Sequence, residues 1–173
     1  MALTLVLEDG SGLSNANAFA TVAEITAILE ENIYATAWPA LTDAQRTAVA
    51  VRATRLIVED VAARGWRWCG WPVNASQALP FPRSGMYDRE GYSVASTIVP
   101  ADIKRLTAEF CESLATVDTA AAANGPAEQS VTMGRTSVTY AIPGGSSTAP
   151  VVPSRLYASI LPLVDRVVMA VRA

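Results

Sequence analysis

Apolar residues recur at helical intervals in several stretches of this chain, and breaks rich in Pro, Gly and Trp separate them. Leu3 to Leu7 is a short apolar run followed by Glu8-Asp9-Gly10-Ser11-Gly12, which predicts a brief strand or extended arm ending in a turn. Thr21-Val22-Ala23-Glu24 has capping-box spacing, so a first helix is expected from about Val22 to Asn32, with Val22, Ile25, Ile28 or Leu29, and Ile33 on its core face. Trp38-Pro39-Ala40-Leu41 breaks the chain. Thr42-Asp43-Ala44-Gln45 repeats the capping logic and opens a second helix to Arg64. Its main stripe reads Ala44, Ala48, Val51, Arg55, Val58 and Val61 or Ala62, widened by Ala53, Leu56 and Ile57, as in a helix central to its bundle. Pro100 suits the first turn of a third helix, where Ile103, Leu106, Phe110, Leu114, Val117 and Ala121 keep the cleanest three-four spacing in the chain, up to Asn124-Gly125-Pro126. A last apolar helix is expected over Ser154 to Arg172, bent or interrupted by Pro162.

Between the second and third helices, residues 65–99 abandon helical periodicity. An irregular stretch this long inside a compact domain is generally functional or an interaction surface. Glu128 to Ala141 reads as β, with Val131, Met133, Val138 and Tyr140 alternating around Gly134, and Ile142 to Pro150 has the composition of a linker. The expected fold is mainly α: a small bundle of about four helices with a long irregular loop, a short β-hairpin or ribbon, and extended terminal arms. Residues 1–124 would form the helical core and residues 125–173 the β element, linker and C-terminal helix or arm, in the same domain or as an assembly arm.

With 173 residues, one domain is the default, and no apolar run reaches the ~18 residues of a membrane-spanning helix. The start of the chain has neither the basic residues nor the small-residue cleavage site of a secretory signal, so nothing directs it out of the cytoplasm. The chain has no histidine, which removes Ser-His-Asp, Cys-His and histidine acid-base mechanisms together. Cys69 and Cys111 are read as free thiols; Cys69 has no base beside it, and the two cannot assemble a four-ligand zinc site. Neither Glu59-Asp60 nor Asp88-Glu90 is read as a working carboxylate pair, because adjacent helix residues diverge and turn acids are ordinarily solvated. Gly10-Ser11-Gly12 and Gly144-Gly145 lack the context of a phosphate loop. No catalytic, metal or cofactor site is expected.

A net charge of −3 disfavours tight, free-standing binding to nucleic acid. The remaining chemistry is recognition. Trp66, Arg67, Trp68 and Trp71 could pack in a core, contact another subunit or stack bases, ranked in that order for an acidic protein. Phe81, Arg83, Tyr87, Tyr140, Arg155 and Tyr157 complete the candidate interface.

Several segments in order carry a resemblance. They are Leu-Glu-Asp-Gly-Ser-Gly-Leu-Ser-Asn-Ala-Asn from Leu7, Leu-Thr-Asp-Ala-Gln from Leu41, Ala53-Thr54-Arg55, Gln77-Ala78-Leu79-Pro80-Phe81-Pro82-Arg83-Ser84-Gly85, and Val-Pro-Ala-Asp-Ile-Lys from Val99. Over roughly Leu5 to Thr119 the chain resembles a family of tailed-bacteriophage proteins often labelled DnaT-like single-stranded-DNA-binding proteins, which look like head-tail connectors (adaptors or head-completion proteins). The resemblance implies a structural subunit of the virion neck, assembled in the host cytoplasm as a homo-oligomeric, dodecameric ring. It would sit between the portal protein and a tail, stopper or terminator component, and genomic DNA would pass through without specific binding. The acidic balance suits such a channel, because each cationic phosphate contact would add salt-dependent grip. The alternative is a single-stranded-DNA-binding module using Trp66, Trp68, Trp71 and nearby arginines.

Overall fold

The computed structural model describes residues 3–88, 90–116, 126–133, 136–146, 152 and 154–166. Three α-helices carry the fold: α1 (Val22–Glu30), α2 (Asp43–Ala63) and α3 (Ala101–Thr116). Both capping boxes form: the Thr21 hydroxyl accepts the Glu24 amide while the Glu24 carboxylate accepts the Thr21 amide, and Thr42 and Gln45 repeat the exchange. α1 stops earlier than its apolar spacing predicts. The Asn32 side chain accepts the Tyr34 amide, a local turn that competes with helix, so Ile33 faces solvent and not the core.

α2 buries a different stripe from the main one expected. Ala50, Ala53, Thr54, Leu56, Ile57, Asp60 and Val61 face inward, while Ala44, Ala48 and Arg55 are exposed. The residues read as widening are the core face. α3 buries Ile103, Leu106 and Phe110 as its spacing predicts, with Thr107, Ala108 and Cys111 beside them; its expected continuation through Val117 and Ala121 lies outside the described residues. α3 packs against both α1 and α2. Polar staples fix these contacts. Lys104 Nζ pairs with Glu24 Oε1 at 2.5 Å, and the Glu112 carboxylate accepts the Ala37 and Trp38 amides at 2.8 and 2.7 Å, at the start of the short 3-10 turn Trp38–Ala40.

Six short or paired strands complete the described chain, as three separate antiparallel pairs. β1 (Trp66–Trp68) pairs with β6 (Val164–Arg166), and β2 (Trp71–Pro72) with β3 (Arg83–Ser84). β4 (Pro126–Met133) pairs with β5 (Thr136–Ser146), with an irregularity between Pro126 and Glu128. The ribbon therefore forms where local alternation predicts it, and β5 takes up the first half of the expected linker.

A fourth helix is not found over the described part of the last segment. Ser154–Ser159 and Leu161–Leu163 are 3-10 turns, followed by β6. Pro162 lacks an amide and clashes with a preceding helical turn, so the apolar residues dock in short pieces. Nor is this part an extended arm: Val152, Leu156, Tyr157, Ile160 and Leu163 belong to the same core as Phe19, Ile25, Ile57, Phe81 and Phe110.

Candidate interaction surface

The tryptophans of residues 66–71 divide between interior and surface. Strand alternation in β1 turns Trp66 and Trp68 toward the core, half-buried, and leaves Arg67 exposed. Trp66 meets Tyr157 edge-on at 5.4 Å between ring centroids, and Trp68 meets Phe81 edge-on at 5.1 Å; Phe81 in turn meets Phe19 at 6.2 Å. These geometries are favourable for ring quadrupoles and leave neither indole free as a stacking platform.

The arginines beside them are equally committed. Arg83 donates from Nε to the Cys69 carbonyl at 2.6 Å and from Nη2 to the Gly70 and Trp68 carbonyls at 2.8 and 3.3 Å, and from Nη1 to the Pro80 carbonyl at 3.2 Å. One guanidinium thereby ties the two halves of the loop together, and burial lowers its basicity. Arg64 donates from Nε to Asp60 Oδ2 at 2.7 Å and from Nη2 to the Val152 carbonyl at 2.9 Å, with its guanidinium 4.5 Å from the Tyr157 ring centroid. Tyr157 donates its hydroxyl to the same Asp60 oxygen at 2.6 Å. Burial first, then the Asp60 carboxylate, pushes the Tyr157 hydroxyl well above the ordinary phenol range. This buried latch is not legible as such in the sequence, although Glu59 and Asp60 diverge as adjacent helix residues must. The i, i+4 spacing of Asp60 and Arg64 is the available signal. Glu59 does point outward, toward Arg55 at 3.6 Å.

The segments that carry the resemblance prove to be structural staples. The buried Glu8 carboxylate accepts the amides of Gly10, Gly12 and Leu13 at 2.9 to 3.0 Å, so the Glu-Asp-Gly-Ser-Gly turn is wound around it. Thr54 Oγ1 accepts the Phe19 amide, and Gln77 donates to the Leu79 and Pro82 carbonyls. The Cys111 thiol is deeply buried and its pKa pushed up by that burial; Cys69 is also raised, by burial and then by Asp165. Neither thiol is poised as a thiolate. Among the described residues no group of three or more His, Cys, Asp or Glu side chains could hold a metal ion, and no helix is long and apolar enough to cross a membrane.

Three aromatic rings of residues 65–99 remain outward: Trp71, Tyr87 and Tyr92. Gly70 takes φ +65°, where a side chain would strike the Ser84 carbonyl, and this turn reverses Trp71 to the outside. The Trp71 ring lies against Gly85, where a Cβ would come within 2.8 Å of it, yet the residue is 70% exposed. Tyr87, bridged to Ser93, is 61% exposed, and Tyr92 is 72% exposed. No motif or periodicity in the sequence points to Tyr92. Of the other candidates, the side chains of Tyr140 in β5 and Arg155 in the Ser154–Ser159 turn lie outside the described residues.

No curated protein and no solved structure matches the chain. A family model described as "Putative DnaT-like ssDNA binding protein" matches residues 3–173, which extends the likeness across the β4–β5 ribbon and the C-terminal segment. The family's description favours the single-strand-binding alternative, and no comparison supports a head-tail connector. The match takes in nearly the whole chain, and the chain belongs to this DnaT-like family.

Proposed function

We propose that the chain is a non-catalytic assembly subunit, a head-tail adaptor that forms a ring between the portal and tail components of a tailed phage and continues the DNA channel. The observation that carries this reading is how the aromatic and cationic groups are used. Trp66, Trp68, Arg64 and Arg83 are consumed by contacts inside the fold, which takes these rings and guanidinium groups away from bases and phosphates. The β4–β5 ribbon adds support. It has no third strand among the described residues, and a lone two-stranded ribbon is marginal in water until something covers it. A closing head-to-tail interface between copies would supply that cover. Mixing the purified chain with its portal protein and sedimenting the mixture tests the reading: co-migration is expected, and separate migration at all salt concentrations contradicts it.

The family's description supports a second reading, a single-stranded-DNA-binding module. In it, bases would stack on Trp71, Tyr87 and Tyr92, because Trp66 and Trp68 are engaged by Tyr157 and Phe81. It predicts tryptophan quenching by a thymidine oligonucleotide that weakens steeply with salt.

A further inference from the structure

Within the assembly reading, and resting on it, we infer that the outer edge of residues 3–7 is a strand-acceptor site, filled by β5 of a neighbouring copy of the chain. The segment is hydrogen-bonded along one side. The Thr4 carbonyl accepts from the Asn17 side chain at 3.0 Å, and the Val6 amide donates to Asn17 Oδ1 at 2.8 Å. The Val6 carbonyl accepts the Asn17 and Ala18 amides at 2.9 and 3.2 Å, and the Glu8 amide donates to the Ala18 carbonyl at 3.0 Å. Thr4, Val6 and Glu8 therefore turn their backbone groups one way, at the period of a strand, and Leu7 is bridged in parallel to Ala18. That alternation leaves the amides and carbonyls of Leu5 and Leu7 for the opposite edge. Neither residue makes a hydrogen bond among the described residues, and none of residues 3–7 is buried. Such a row of unpaired N–H and C=O groups is a template on which another strand adds.

The edge carries nothing that would prevent the addition. Natural edges are blunted by charge, proline or a bulge, whereas Leu3-Thr4-Leu5-Val6-Leu7 has no charged residue and no proline. The chain holds a second open edge of the same kind. β5, 11 residues long, is paired on one side with β4 and has no third strand among the described residues. β4 is blunted by Pro126, Glu128 and the irregularity between them, but residues 136–142 of β5 include neither charge nor proline. Each copy thus offers one acceptor edge and one donor edge, unlike in sequence. Pairing one with the other between copies is a head-to-tail contact, the kind that propagates from subunit to subunit and closes a ring.

The test is residue-resolved amide hydrogen exchange on the chain at rising concentration, alone and with its portal protein, alongside light scattering. The Leu5 and Leu7 amides should exchange freely when the chain is dilute and gain about tenfold protection or more as the mass rises. Leu5→Pro deletes one outward amide and leaves the bonds to Asn17 and Ala18 in place; it should keep the melting temperature and raise the concentration of half-assembly about tenfold or more. A peptide of residues 136–142 should block assembly of the unmodified chain, and the same peptide N-methylated throughout should not, an arm that depends on no variant folding. Assembly with unprotected Leu5 and Leu7 amides, unchanged assembly of Leu5→Pro, or a peptide without effect would each overturn the inference and leave the adaptor reading standing. An unmodified chain that never assembles, with or without the portal, removes the adaptor reading and this contact with it.

Discussion

Trp68 and Trp71 stand three positions apart and have opposite fates. Trp68, on a strand paired with β6, packs edge-on against the buried ring of Phe81, whereas Trp71, after the left-handed turn at Gly70, lies on the surface over Gly85. Residue type does not separate them, since each is a tryptophan in a short strand followed within a few positions by glycine or proline. Register does. Strand alternation fixes one, and a glycine reversal fixes the other. An aromatic-rich motif is therefore weak testimony about a binding surface until the direction of each ring is known.

The inner side of this comparison should dominate stability. Phe81→Ala removes the ring that Phe19 and Trp68 pack against, and should cost about 3–5 kcal/mol in chemical denaturation. A cost near that of a surface change would mean that the inner cluster is not core. Asp60→Ala strands the half-buried Arg64 charge and the Tyr157 hydroxyl together, and about 3 kcal/mol is expected. Tyr157→Phe leaves the Asp60–Arg64 pair in place, so a smaller loss of about 1–3 kcal/mol should follow.

The latch also has a pH signature. The folded-state pKa of Tyr157 is raised above its ordinary value of 10.0, so the folded protein holds that proton more tightly than the unfolded chain. The associated stability is present below pH 10 and is lost as pH rises beyond it. Stability measured across that range should therefore decline in the unmodified protein and decline less in Tyr157→Phe; parallel curves would contradict the latch. The outer side should behave in the opposite way. Trp71→Ala should change stability by no more than about 0.5 kcal/mol, and a large stability loss would return Trp71 to the core.

The sequence announced most of the helices because local rules govern them. Both capping boxes, the Ile103–Leu106–Phe110 stripe and the alternation around residues 128–141 appear where short-range spacing places them. Where several surfaces were apolar, spacing could not choose. α2 has alanine and valine on more than one side, and its buried face proved to be Ala53, Leu56 and Ile57. The C-terminal segment departs from the expected helix because its apolar content suits one while Pro162 and the pairing of β6 with β1 divide it. The candidate surface was least legible. Trp66, Arg83 and Tyr157 are spent on contacts made with residues distant in sequence, which no local pattern encodes. Tyr92 is held by the exposed Asp88 carboxylate, which accepts its amide, a contact that no periodicity announces.

Mass by light scattering, on the purified protein alone and mixed with its portal protein, tests the central claim most directly. A ring-sized complex that forms with the portal, unaffected by added thymidine oligonucleotide, is the predicted result. A protein whose mass ignores the portal but shifts on binding the oligonucleotide would contradict the account and leave the single-strand-binding module in its place.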